Sequence, residues 1–236
     1  VPVREYRFTV GKMRNRGSIG WLNCPKPETS DRDGFMVTFR NLPAFEEEAH
    51  MPAEREFRGW LYVAKTFPLF PKDEDVWKEL SRYWADDFNL ATKPGSVVRK
   101  KAESLAAGAA ADEEKLRRLY EFCRTAVFNT TYRTSAELQS EIEKHKDADA
   151  QSPARTLELG RGRWDEINRL FAALARGLGF EAREARTASR DELLNVRIPR
   201  GWAFLRRTCV AVKVGDQWRF FDPGSLLTPF GMVGWR

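Results

Sequence analysis

Histidine and cysteine are scarce in this chain of 236 residues, which holds two of the first and three of the second. Three cysteines cannot all pair with one another, and none stands in Cys-x-x-Cys spacing, so neither a disulfide framework nor a thiolate zinc site is expected. No other pattern calls for a metal or a cofactor. A Walker-type loop is missing, and Gly160-x-Gly162 lacks the third glycine and the preceding strand of a dinucleotide loop. No apolar run approaches the roughly 18 residues needed to span a bilayer. A signal peptide is missing too. A chain that opens on Val1 and stops at Arg236 is expected to be a processed or excised piece, so that lack excludes no compartment. Charge of one sign is also lacking: 34 acidic residues are interleaved with 40 basic ones. With no helix-turn-helix, zinc-finger or RNA-binding signature beside them, the basic groups Arg99-Lys100-Lys101, Arg117-Arg118 and Arg206-Arg207 give no reason to expect a nucleic-acid partner.

Eight tryptophans and a hydrophobic content of 42% specify a folded core. The first seventy residues alternate in the manner of strands, most clearly over 34–40 and 57–67. Pro68 and Pro71 then break the pattern. Asp73 or Asp75 can open a helix with Val76, Trp77, Leu80, Tyr83 and Trp84 on one face. Lys93-Pro94-Gly95 punctuates, Ser96 is expected to cap a second helix ending at Gly108, and Asp112 opens a third that runs through Val127. In that third helix Leu116, Leu119, Tyr120, Cys123 and Val127 form an apolar stripe, which makes Cys123 a packing residue. Residues 132–154 read as a polar connection with a short helix near 136–142.

The densest signal lies further on. Gly160-Arg161-Gly162-Arg163 makes a tight approach, after which Ile167, Leu170, Phe171, Leu174 and Leu178 recur at helical spacing and Gly179 stands where a helix end favours positive φ. A hairpin follows: Cys209 to Val214, a Gly215-Asp216 turn, then Trp218 to Phe221 and Asp222-Pro223.

A glycine-flanked helix start followed by a strand pair that ends in Asp-Pro resembles the core of transglutaminase-like domains. The segment Leu42-Pro43-Ala44-Phe45-Glu46-Glu47-Glu48, followed by Met51-Pro52 and a strand, is similar to the end of the β-sandwich domain of unknown function that precedes such domains in bacterial envelope proteins. The resemblance implies an α+β fold: a partial β-sandwich over 1–72 with its first part missing, a helical connector over 73–94, and a papain-like, transglutaminase-type domain over 95–236. It also implies a Cys-His-Asp triad, with the cysteine at the start of the core helix and the other two on successive strands. Here those positions carry Trp164, Arg207 and Asp222. An indole is no nucleophile, and a guanidinium accepts no proton near neutral pH.

Three functions follow as expectations. The first is a catalytically inactive domain that binds or scaffolds in the periplasm or another extracytoplasmic space. Arg161, Arg163, Trp164, Asp165, Arg206, Arg207 and Asp222 would line its former cleft, and its partner would be a protein, peptide or glycan. Within that reading Trp164 either plugs the cleft as core or walls a ligand, and Arg207 pairs with Asp222. The second is an active cysteine-type hydrolase or acyltransferase with displaced chemistry, based on Cys209 or on the carboxylates Asp165 and Glu166. Cys24, His50 and His145 lie in loops or polar segments and offer it no partner. The third is an interaction module that uses exposed strand edges of the N-terminal β-rich part.

Overall fold

The computed structural model describes residues 2–10, 17–30, 35–48, 50–51, 54–65, 73–132, 152–189 and 205–234. They fall into two compact units. One comprises residues 1–78 and 188–205, the other residues 79–187 and 206–235.

In the first unit the alternating segments form strands β1 (Val3–Val10), β2 (Gly17–Leu22), β3 (Glu28–Ser30), β4 (Phe35–Leu42) and β5 (Trp60–Lys65). Strands β1, β4 and β3 make one antiparallel sheet in that order, and β2 pairs with β5. Register sets Tyr6 beside Phe39 and Phe8 beside Val37, so these four side chains share one face. Val37 and Phe39 are its buried centre. A groove of about 670 Å3 opens over that face, lined by Tyr6, Phe8, Phe39, Phe45, Trp60 and Leu61 among others. Cys24 borders the groove, and its thiol is raised by burial.

The second unit begins within helix α1 (Asp73–Ala91) and continues with α2 (Ser96–Ala106) and α3 (Asp112–Thr125). The α1 face differs from its expectation. Tyr83 is 70% exposed and Trp77 is exposed as well, while Phe88 is the α1 residue that enters the core. Trp84, one turn before Phe88, stacks under Arg186 at 4.2 Å. The inward stripe therefore runs along Trp84, Phe88 and Thr92, an i, i+4, i+8 series. Ser96 is the first residue of α2 and not its cap, since Gly95 holds the cap position without a side-chain bond.

The short helix expected near 136–142 lies outside the described residues, as does His145. Beyond them stands a helix that the polar-connection reading overlooked, α4 (Pro153–Leu159). Its signal was in the sequence: Ser152 accepts from Arg155 N–H at 3.2 Å, and Pro153 sits where a helix lacks N–H partners anyway. Gly160 ends α4 at φ +62°, a conformation cheap only for glycine. Strand β6 (Phe128–Asn129) pairs in parallel with β7 (Arg161–Gly162), which delivers the chain to α5 (Trp164–Gly177).

Helix α5 is the centre of this unit. Ile167, Leu170, Phe171, Ala172, Ala173, Leu174 and Ala175 are all buried, packed with Leu116, Leu119, Tyr120 and Cys123 of α3. Tyr120, Phe171, Phe221 and Phe230 make the aromatic heart, with Tyr120 edge-on to Phe171 at 5.9 Å and to Phe230 at 5.5 Å. The helix ends as its glycine signal predicts, with Gly179 at φ +89°. Arg176 in its last turn donates to the Ala182 carbonyl and to Thr92 Oγ1.

Against α5 lies a three-stranded antiparallel sheet in the order β10 (Gln217–Phe221), β9 (Arg207–Val214), β8 (Ala182–Thr187). The hairpin β9–β10 turns at Gly215, φ +59°, as its Gly-Asp pair implies. Val210 and Val212 join the core cluster, whereas the alternating Cys209 and Ala211 are buried on the opposite face of β9. Among the described helices none is long and apolar enough to cross a membrane.

Candidate functional site

The first turn of α5 and the two ends of the hairpin bring the three motif positions together. Trp164 opens α5, Arg207 opens β9, and Asp222 follows directly on β10. The Arg207 guanidinium lies over the Trp164 indole, 5.5 Å from its centroid. Trp164 is partly buried and stands outside the core cluster.

The expected ion pair between Arg207 and Asp222 is not formed. Arg207 acts on Asp222 only as a nearby charge, the weakest of the influences that favour the ionised carboxylate. Both carboxylate oxygens are already committed: Oδ1 accepts from Asn168 Nδ2 at 2.9 Å and Oδ2 from Gly234 N–H at 3.3 Å. Burial outweighs these bonds and raises the Asp222 carboxyl above its usual range. Asp222 opposes Cys209 by extension of the hairpin register, two positions further along β9 than Arg207, which leaves the guanidinium nearer to the indole.

Asn168, which no sequence argument singled out, organises this corner. It is 3% exposed on an otherwise apolar face of α5. Its amide donates to the Thr208 carbonyl as well as to Asp222, and its carbonyl accepts from Gly224 N–H at 2.9 Å. One side chain thus ties α5 to the start of β9 and to the segment that leaves β10. Its only signal in the sequence was a polar residue one position after Ile167 in a buried helix. Gly224 is required there because a Cβ would lie 2.0 Å from the Trp164 carbonyl oxygen. Asn129 Nδ2 holds the Gly224 carbonyl at 2.8 Å.

Two N–H groups at the head of α5 are also engaged. Thr131 Oγ1 accepts from Trp164 N–H at 2.9 Å, and Glu166 accepts from Arg163 N–H at 2.7 Å. Burial raises the Glu166 carboxyl. Asp165 Oδ1 lies 3.3 Å from Arg163 Nε without the alignment of a hydrogen bond, as a side-by-side ion pair. Asp165 and Glu166 therefore serve the helix end and do not converge on a common point. Arg161 is half-buried in β7 and Arg206 is exposed just before β9.

The thiols offer little. Cys209 is 3% exposed, and burial pushes its pKa up to about 12, with Asp222 and Glu184 adding to the rise. Cys123 is fully buried among the core residues of α3. His50 lies exposed in a loop of the first unit. Among the described residues no cluster of histidine, cysteine or acidic side chains could hold a metal ion.

Comparison with known proteins agrees with this geometry. No curated protein is matched. Among solved structures, a candidate protease from Parabacteroides distasonis ATCC 8503 superimposes with a TM-score of 0.55 at 16% identity, covering 93% of this chain. This chain spans 40% of that protein's length. A candidate cysteine protease from Cytophaga hutchinsonii gives 0.40 at 17% identity, covering 94% of this chain and 71% of its own. A TGase gives 0.35 at 10%, covering 89% and 46%. The first of these supports the α+β fold. The family model of the transglutaminase-like superfamily matches residues 99–223, just over half of the chain, including α5, the β9–β10 hairpin and Asp222. The chain belongs to the transglutaminase-like superfamily.

Proposed function

We propose that this domain is a non-catalytic member of its superfamily, with a binding or scaffolding role in the bacterial cell envelope. The observation that carries the reading is the head of α5: an indole stands where a nucleophile would need to be, and a guanidinium covers it at 5.5 Å. Neither group can attack a carbonyl or shuttle a proton. The Trp164 N–H, placed at a helix N-terminus where it could have stabilised an oxyanion, is bonded to Thr131. The Asp222 carboxylate, free in principle to orient a base, holds Asn168 and Gly234 instead.

Displaced cysteine chemistry gains no support from Cys209. With a pKa of about 12 its thiolate would make up about one part in ten thousand at pH 8, and almost none of the side chain meets solvent. The envelope placement rests on the resemblance of the Leu42–Met51 region to domains found there, and the role of the longer protein is part of the same proposal.

The test is turnover by the purified protein of a glutamine peptide with a fluorescent amine, and of casein, alongside modification of its thiols by DTNB at pH 8. We expect no turnover and no reaction of Cys209 until the protein is unfolded in urea. Turnover that disappears in Cys209→Ala would overturn the reading in favour of displaced chemistry.

A further inference from the structure

The cations of this unit are mostly matched to acids. Arg163 pairs with Asp165, Arg169 with Asp87, Arg186 with Glu184 and Arg219 with Glu113. Arg207 differs. It is half-buried, yet among the described residues its guanidinium makes no hydrogen bond and no ion pair, only the stack on Trp164. The Asp222 carboxylate acts on it only as a nearby charge, and its oxygens accept from Asn168 and Gly234. A guanidinium carries five donors in a rigid fork and has no acceptor, and partly removing it from water without a partner is unfavourable. The fork matches one kind of group best, a planar carboxylate bound through two parallel N–H bonds.

We propose that Arg207 and Trp164 form a binding site for a ligand carboxylate, whose body lies along the exposed part of the indole. This rests on the non-catalytic reading of the same corner and gives that reading a ligand class. The surroundings select the charge of the ligand. A neutral ligand would leave the fork without an acceptor of opposite charge. A dianion such as phosphate would bring a second negative charge toward the Asp222 carboxylate, with a single guanidinium to offset both. A carboxylate carries one charge in the flat geometry that a single fork can hold. Trp164 contributes by position: its ring supports the guanidinium plane on one side and is wide enough to carry a sugar ring or a peptide plane beside it.

The test follows the Arg207 Nε–H and Trp164 Nε1–H resonances in 15N-labelled protein, assigned by loss in Arg207→Gln and Trp164→Phe. The probes are N-acetylglycine, its carboxylate-free counterpart N-acetylglycinamide, D-glucuronate and inorganic phosphate. We expect saturable shifts of both resonances with at least one of the two carboxylates, and at least tenfold weaker binding of the amide and of phosphate. The carboxylate that binds more tightly, peptide-like or sugar acid, assigns the source. In Arg207→Gln the Trp164 response should weaken at least tenfold, and in Arg207→Lys, which keeps the charge but loses the fork, several-fold. Shifts of equal strength from amide and acid, phosphate binding as tightly as carboxylate, or an undiminished response in the Gln or Lys variant would each overturn the proposal, as would no shift from either carboxylate. If Arg207→Gln does not fold, Arg207→Lys decides alone. The turnover assay separates the two readings: turnover with carboxylate binding removes only the non-catalytic assignment, and neither turnover nor binding removes only this site.

Discussion

The two halves of helix α5 meet different surroundings. From Ile167 to Ala175 the helix is buried almost without interruption, and its side chains interlock with α3 and the hairpin. Its first turn is half-exposed, and Trp164, Asp165 and Glu166 there touch a guanidinium, an ion-pair partner and a neighbouring N–H. The buried half answers to packing density alone, which any residues of the right shape and polarity satisfy. The first turn answers to polar partners instead, and under the non-catalytic function we propose it serves no reaction. The buried half carries the superfamily fold, and the head carries the candidate site. The two jobs are separable because few contacts serve both. Asn168 is the residue that does, since it sits in the buried helix and reaches the altered corner.

That contrast can be broken most directly by truncating one side chain in each half. Phe171→Ala should cost about 3–5 kcal/mol, the range for a fully buried ring, whereas Trp164→Ala should cost about 1–2 kcal/mol because its indole is only partly buried and lies outside the core cluster. Urea unfolding of the two variants gives the comparison. Equal losses would mean that Trp164 is core and that the helix is of one kind throughout.

A smaller effect tests the residue that joins the halves. Asn168→Ala strands the Gly224 N–H and removes a donor from both Asp222 and the Thr208 carbonyl, and should cost about 2–3 kcal/mol. The same variant should also sharpen the Trp164 and Arg207 resonances less than wild type does, because the ends of β9 and β10 lose their common tether. An unchanged urea midpoint would show that the corner is held by the strands alone.

The smallest effect is on pH dependence. Burial raises the Asp222 carboxyl, so the folded protein holds that proton more tightly than the unfolded chain does. Its contribution to stability is complete below the unfolded value of about 4 and is lost as pH rises through the folded value. Melting temperatures of wild type and Asp222→Asn between pH 4 and pH 7 isolate this group, since other buried carboxyls such as Glu184 act equally in both proteins. Wild type should lose stability more steeply than the variant over that interval. Parallel curves would mean that Asp222 titrates as it does in the unfolded chain.

Helix α5, the stripe of α3 and the β9–β10 hairpin were all legible in the sequence, because each repeats its apolar residues at its own period, and because α5 ends and the hairpin turns on a glycine with positive φ. Strand β8 was not. Its residues Arg183, Glu184 and Arg186 interrupt any apolar period, yet Glu184 is nearly buried beneath its ion pair with Arg186. A charge neutralised by a neighbour two positions along looks, in a one-dimensional pattern, like a charge meant for water. On α1, Tyr83 fell within the expected apolar face because aromatic type was counted and direction was not. At the site, the three motif residues could be named from the sequence by resemblance, but their bonding was not legible. Nothing in the sequence tells that Asp222 is already engaged by Asn168, 54 residues earlier.

Tyr120 gives the molecule an order of events in time. Its buried hydroxyl donates to the Thr228 carbonyl at 2.7 Å, across 108 residues of chain. Until the ribosome has passed Phe230, the phenol at the middle of the aromatic heart has neither its acceptor nor its closing ring, and α3 and α5 can meet only as an unfinished pair. Contacts of such long sequence separation make folding slow. They also leave apolar helix faces uncovered during synthesis, when association with other chains competes. The last few residues of the unit therefore decide when it becomes a folded protein.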